Sequence, residues 1–241
     1  MATVDYSDPD WPVEVELEAY TPFIPLNRDD SSHPVIVMRY TVKNTSDMTQ
    51  EVGVAGWIEN NRNGRKAKKV TRYQNHPEIS TVECSAGSED LNSMALGLFG
   101  EAPDFVQIAK KTASLEDLFT ERTVEHGNAI TVEGDKRSFA SIGRVLMIKP
   151  GESETVSFAV SWRVPHLKYG TGFAQKTSLG KNHYASLTKS ASDSAVKVAK
   201  NEERLYGETS KWVDTWYDSS LPYWLLERAF IPINCMQTQL G

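Results

Sequence analysis

The chain has 241 residues, 39% hydrophobic and 24% charged, a balance typical of folded globular proteins rather than disordered ones. Its 26 Lys and Arg against 32 Asp and Glu leave a net charge of −6, so long-range repulsion works against general binding to phosphate backbones. Two cysteines, Cys84 and Cys235, are too few for a disulfide scaffold or a four-thiolate zinc site, and no apolar run approaches the roughly 20 residues of a membrane-spanning helix.

The residues after Met1, Ala2 to Asp8, carry neither the basic nor the apolar part of a signal peptide, and the expectation is a reducing cytoplasm. Val13, Val15, Leu17 and Ala19 then alternate with Glu14, Glu16 and Glu18, a period of two that sets one strand face against a core and the other against water. Residues 35–42 are β-branched and aromatic enough for a buried strand. Turn residues follow at 43–47, and 51–59 reads as the next strand, carrying Val52, Val54 and Trp57. The two together look like a long antiparallel hairpin. Residues 81–87 read as turn-prone, whereas 93–98 alternate again with Met94, Leu96 and Leu98 on one side. Residues 144–148 lead into a Pro150-Gly151 turn, and 155–162 continue as a strand with Val156, Phe158 and Val160 inward. Strands in this spacing, with little helical period between them, predict a mainly β protein, an antiparallel β-sandwich.

The last third changes period. From Ser190 onward the apolar positions Ala191, Ala195, Val198, Leu205, Tyr206, Trp212, Val213 and Trp216 fall mostly three or four apart, the stripe of an amphipathic helix. Gly207 inside that stripe costs about 1 kcal/mol relative to Ala, so packing must hold the helix. Ser219, Ser220, Leu221 and Pro222 predict a stop and a new helix start. Residues 223–231 are apolar nearly all round, and a helix apolar on every side needs cover on every side.

Portable catalytic motifs do not emerge. The histidines His33, His76, His126, His166 and His183 fall at no metal-ligand spacing, and Cys84 has no nucleophile signature around it. No phosphate loop, serine elbow or HExxH motif is present. Nothing singles out a carboxylate pair for glycosidic bond cleavage; Glu14, Glu16 and Glu18, and likewise Glu202, Glu203 and Glu208, read as solvated faces. Arg62, Arg65, Lys66, Lys68, Lys69 and Arg72 form a positive run around Asn63-Gly64, which lacks interleaved aromatics and reads as a solvated loop rather than a polyanion grip. Asn44-Thr45-Ser46 fits a glycosylation sequon but reads as a turn. The sequence therefore assigns no catalytic, cofactor-binding or metal residue. Trp212, Trp216, Tyr217, Tyr223 and Trp224 fall within thirteen residues, and at helical spacing such rings pack against protein more often than against sugars.

The ordered set D-P-D-W-P-V-E-V (8–15), A-Y-T-P-F-I-P-L-N (19–27), D-S-S (30–32), Y-T-V-K-N-T (40–45) and W-V-D-T-W-Y-D-S-S-L-P-Y-W-L-L (212–226) resembles the N-terminal region of glycoside hydrolase family 116, the group of non-lysosomal glucosylceramidase (bile-acid β-glucosidase) and related bacterial β-glucosidases. The resemblance implies a β-sandwich, residues 1–185, joined by a helical linker to a retaining catalytic (α/α)6 barrel, of which residues 186–241 would supply the linker and the first helix. It implies that the acid and nucleophile carboxylates lie in the barrel and that this chain is either a piece cut at both ends or the product of a split gene. The expected partners are that barrel, in cis or from a neighbouring gene, and a glycoside reached through it. No nucleic acid and no cofactor are expected. Trp212, Trp216, Tyr223, Trp224, Leu225 and Phe230 are the expected interdomain contacts, and exposure of Tyr223, Trp224, Leu225 and Phe230 in the isolated chain predicts self-association. A free-standing carbohydrate-binding sandwich, using exposed aromatics such as Trp11 or Trp57, is the alternative.

Overall fold

The computed structural model describes residues 1–60, 69–85, 92–109, 129–134, 138–167 and 180–230. Among the described residues thirteen strands run in chain order: β1 (Ala2–Tyr6), β2 (Val13–Tyr20), β3 (Val35–Asn44), β4 (Gln50–Asn60), β5 (Lys69–Asn75), β6 (Ile79–Ser85), β7 (Ser93–Phe99), β8 (Phe105–Ala109), β9 (Ala129–Gly134), β10 (Ser138–Ile148), β11 (Ser153–Arg163), β12 (His166–Leu167) and β13 (Gly180–Lys181). A one-turn helix α1 (Arg28–Ser31) precedes β3, and α2 (Tyr184–Leu187), α3 (Ala191–Lys200) and α4 (Glu202–Tyr217) follow the strands. A last helical segment covers 223–230. One eight-stranded sheet has the order β1-β2-β3-β11-β7-β6-β5-β9, and a three-stranded sheet has the order β4-β10-β8. Every described pairing is antiparallel.

The two sheets enclose the main core. Val42, Leu96, Leu98, Val156 and Phe158 of the large sheet meet Ile58, Val106, Ile142, Leu146 and Ile148 of the small one, the aligned face-to-face packing of a sandwich. The predicted antiparallel β-sandwich followed by helices is therefore present. The central strands are buried on both faces, which explains their near-continuous apolar runs. On β3, Val42 faces the small sheet while Val35 and Val37 face the helical layer. Helix α3 lies on that outer face, with Ala195 and Val198, together with Leu205 of α4, packed on Val35, Val37, Ile79 and Ala159. Its buried side is built from small residues, Ala191, Ser192, Ser194 and Ala195, so the backbone comes close enough for Ser161 Oγ to donate to the Ala191 carbonyl at 2.8 Å. Ser190 caps the helix by accepting from the Asp193 N–H at 3.1 Å, and Asp193 in return accepts from the Lys189 N–H at 2.9 Å.

Four sequence expectations need correction. The predicted hairpin of 35–42 with 51–59 does not form: β3 belongs to the large sheet and β4 to the small one. The turn between them carries the chain across the sandwich, because both strands need an inner face and the two inner faces oppose each other. Residues 79–85, read in part as turn, form β6, where Ile79, Val82 and Cys84 are buried; small polar residues suit a strand covered on both faces. The single amphipathic stripe from 190 to 217 is two helices, broken at Asn201 (φ −123°, ψ 16°). The two faces differ because α3 packs on the sheet and α4 runs on past it. Fourth, Glu18 and Glu202, read as solvated, accept hydrogen bonds from Tyr206 and Tyr20. Of the basic run, only Arg72 has a described side chain, exposed on β5; Arg62, Arg65, Lys66 and Lys68 lie outside the described residues, as does Cys235.

Candidate functional site

Residues 21–33 form a strap between β2 and β3 that lies along the helices. The strap begins with the Phe23 N–H donating to Thr209 Oγ1 of α4 at 3.1 Å. Ser31 Oγ then accepts from the Ile24 N–H and donates to the Ile24 carbonyl, both at 2.9 Å, closing a compact loop. Asn27 caps α1 by accepting from the Asp30 N–H at 3.2 Å, while its own amide donates to the Asp30 carboxylate at 2.7 Å. The same carboxylate takes Arg204 of α4 at 2.8 Å, and Asp29 takes His183, just before α2, at 2.8 Å. Arg204 donates to Asp30 and holds its carboxyl below the usual carboxylate range, and His183 does the same for Asp29. Lowered carboxyl values favour the fold above the ordinary carboxylate range and are lost as acid protonates them, so the strap is fastened at neutral pH.

A second fastening joins α4 to β2 and β3. Tyr206 donates to Glu18 at 3.1 Å, its ring stands edge-on to Tyr20 at 5.4 Å, and Arg39 sits 4.4 Å above it while approaching Glu18 at 3.7 Å. Tyr20 donates to Glu202 at 3.4 Å, and burial pushes the Tyr20 hydroxyl pKa well above its ordinary value. Glu18 and Glu202 are thus not the solvated carboxylates read from the sequence. They are acceptors that lock the helix to the sheet.

Beyond this latch the aromatic residues stack in series. Phe23 meets Trp212 at 5.9 Å, Trp212 meets Trp216 at 5.8 Å, and Trp216 meets Phe230 at 5.6 Å. The Trp216 indole donates to the Leu226 carbonyl at 3.3 Å, and Leu226 itself is buried. Tyr217 stacks with Tyr223 at 5.8 Å. Helix 223–230 begins at Pro222, whose carbonyl accepts from the Leu226 N–H at 3.2 Å. Of the six expected interdomain residues, Trp212, Trp216 and Phe230 belong to this internal ladder. Tyr223, Trp224 and Leu225 instead face solvent, at 68%, 63% and 38% exposed, next to Leu221. Sequence reasoning missed Phe23 and Leu226; the Pro25 in P-F-I-P-L-N was the available signal for a turn beside Phe23.

His33 closes the strap. It is half-buried, its Nδ1 has no hydrogen-bond partner among the described residues, and Asp30, Asp29, Asp193 and Lys197 are the charges around it. Burial lowers its pKa below 6.5. A depressed histidine value means the unfolded chain binds the proton more readily, so stability is complete above about 6.5 and falls as pH drops through that value. Thermal melts from pH 7 to 5 are expected to show this loss, with His33→Gln flattening the slope; an unchanged slope would remove His33 as its source. Among the described residues no three His, Cys, Asp or Glu side chains are grouped to hold a metal, and no helix is long and apolar enough to cross a membrane.

A two-sheet sandwich with a helical outer layer, ending in an aromatic ladder, defines a β-sandwich module. The family model described as "beta-glucosidase 2, glycosyl-hydrolase family 116 N-term" matches residues 1–206, and the chain belongs to this family. It is accordingly part of a β-glucosidase family of glycoside hydrolases. No curated protein matches the chain. Among solved structures it is similar to "a putative aldose 1-epimerase" from Klebsiella pneumoniae, at 10% identity and a TM-score of 0.30, over 66% of this chain and 48% of that chain. The chain spans about half the length of that structure, and so distant a likeness carries no argument.

Proposed function

We propose that this chain is the non-catalytic N-terminal sandwich of a retaining β-glycosidase, bracing a helical catalytic barrel and shaping the entrance to its active site. The substrate of the whole would be a β-glucoside of glucosylceramide type, bound by the barrel. The observation that carries this reading is the family match over residues 1–206 together with a ladder that ends in an exposed apolar step, Leu221, Tyr223, Trp224 and Leu225. Such a step is costly in water and matches the aromatic-rich centre of a protein interface.

The test is to assay an aryl β-glucoside with the chain alone, with a separately produced family 116 catalytic domain, and with both. Turnover is expected to need the catalytic domain and to rise when the chain is added. Turnover by the chain alone would overturn the non-catalytic reading, and no association with the catalytic domain would overturn the bracing role. Trp224→Ala should leave the melting temperature within about 1–2 °C, as for an exposed side chain, yet weaken association by about tenfold or more. Retention of the chain on immobilised glycan, lost on changing Trp11 or Trp57, would favour the carbohydrate-binding alternative; these rings are 66% and 52% exposed.

A further inference from the structure

The described residues contain two proline-led turns of the same kind, which differ in what stands at the third position. In the first, residues 149–152, the Glu152 N–H donates to the Lys149 carbonyl at 3.0 Å, with Pro150 second and Gly151 third at φ +75°. In the second, residues 24–27, the Asn27 N–H donates to the Ile24 carbonyl at 3.0 Å, with Pro25 second and Leu26 third at φ +65°. Proline in second place with a positive φ in third place defines a type II turn, whose third position favours glycine or asparagine. Gly151 follows that rule. Leu26 breaks it, and it is the one non-glycine residue with positive φ among the described residues.

The side chain gains nothing inside the chain in return. Leu26 is fully exposed, at 108% of its reference surface, more than any other large apolar residue described. The left-handed backbone is a penalty, and an exposed side chain recovers none of it by burial. The surrounding strap is nevertheless heavily fixed: Ser31 on Ile24, Asn27 and Arg204 on Asp30, Thr209 on Phe23, and His183 on Asp29. Strain held in place by so many contacts marks a site that presents something. The strap is also continuous with the ladder, since Phe23, two residues before Pro25, is its first ring.

We infer that Leu26 is a preformed docking knob, held outward by a strained turn, which enters an apolar socket on the catalytic domain that the aromatic step at 221–225 also contacts. This rests on the proposed bracing role and adds a second, separate anchor to it. An apolar side chain carried on a preformed backbone spares the binding step the cost of ordering that backbone, and a glycine at this turn would supply no such side chain.

The experiment compares the wild-type chain with Leu26→Gly and Leu26→Asn, titrated calorimetrically into a family 116 catalytic domain made as a separate polypeptide. Both variants relieve the turn, so each is expected to melt at the wild-type temperature or about 2–4 °C above it. Both are expected to bind about 10- to 100-fold more weakly, the loss that goes with one unburied leucine. Wild-type affinity in Leu26→Gly would overturn the inference while leaving the bracing role intact. A melting temperature several degrees lower would also overturn it, by showing that Leu26 packs within its own chain. If the wild-type chain does not bind the catalytic domain at all, the bracing role falls and the socket with it. If light scattering instead shows a dimer that Leu26→Gly dissolves, the socket lies on a second copy and the assignment to the catalytic domain is wrong.

Discussion

Asn44→Ala is expected to destabilise the chain by about 3–4 kcal/mol, a large part of the stability of an ordinary domain. Asn44 is completely buried and sits where two of the sheet-to-sheet crossings, β3 to β4 and β10 to β11, pass. Its amide nitrogen donates to the Met48 carbonyl at 2.7 Å and to the Ile148 carbonyl at 2.8 Å. Its amide oxygen accepts from the Ser46 N–H at 2.9 Å and from the Ser46 hydroxyl at 2.8 Å. Its backbone also accepts from the Gly151 N–H and donates to the Glu152 carbonyl, both at 3.0 Å. One side chain thus ties the turn from β3 to β4 to the turn from β10 to β11. Alanine keeps the backbone bonds but strips a donor from the buried Ile148 carbonyl and from the part-buried Met48 carbonyl, and the unmade bonds carry the cost. Asn44→Asp is the sharper variant: it keeps the shape and replaces two donors with lone pairs facing two carbonyls. Denaturant melts should place it at least as low as alanine at pH 7. If the Asn44→Asp chain melted like the wild type, the donor argument would fail. The same geometry bears on the sequon Asn44-Thr45-Ser46, because a nitrogen already donating two buried bonds has no room for a glycan in the folded chain.

How much of this was legible in the sequence follows from how local each cause is. The period of two at Val13, Val15 and Leu17, and the run from Val35 to Val42, are local facts, and the strands are where they say. The partners of those strands are not local. Nothing in residues 43–47 tells a hairpin turn from a turn that crosses a sandwich; the difference lies in Asn44 reaching Ile148, 104 residues away. Residues 79–85 look like a turn for a related reason: serine, threonine and cysteine become good strand residues only when a helix covers one face and a second sheet the other. The aromatic ladder was visible as spacing, but its first ring, Phe23, comes from the opposite end of the chain. Leu26 was least legible of all, since only the turn's dihedral angle separates it from an ordinary loop leucine.

Gly143→Ala should cost about 3 kcal/mol, lowering the melting temperature by roughly 6–12 °C. Gly143 lies in the middle of β10, the central strand of the small sheet, opposite Phe105 of β8 and Ala55 of β4. A methyl group added there would lie 2.1 Å from Phe105 Cζ and 2.4 Å from the Val54 carbonyl oxygen. The Phe105 ring occupies the space that the missing side chain leaves, the way an aromatic neighbour compensates for glycine in a sheet. The ring could swing away, at the expense of its own burial. The Val54 oxygen belongs to the neighbouring strand's backbone and can yield only if β4 moves against β10. These two contacts make separable contributions. Gly143→Ala combined with Phe105→Leu removes the clash with the ring tip and leaves the one with the carbonyl, so the double variant should recover only part of the loss. Full recovery would assign the whole effect to the ring. No recovery would assign it to the strand pair, which holds β4 in the small sheet and with it Ile58 and the partly buried Val52 and Val54 against the main core.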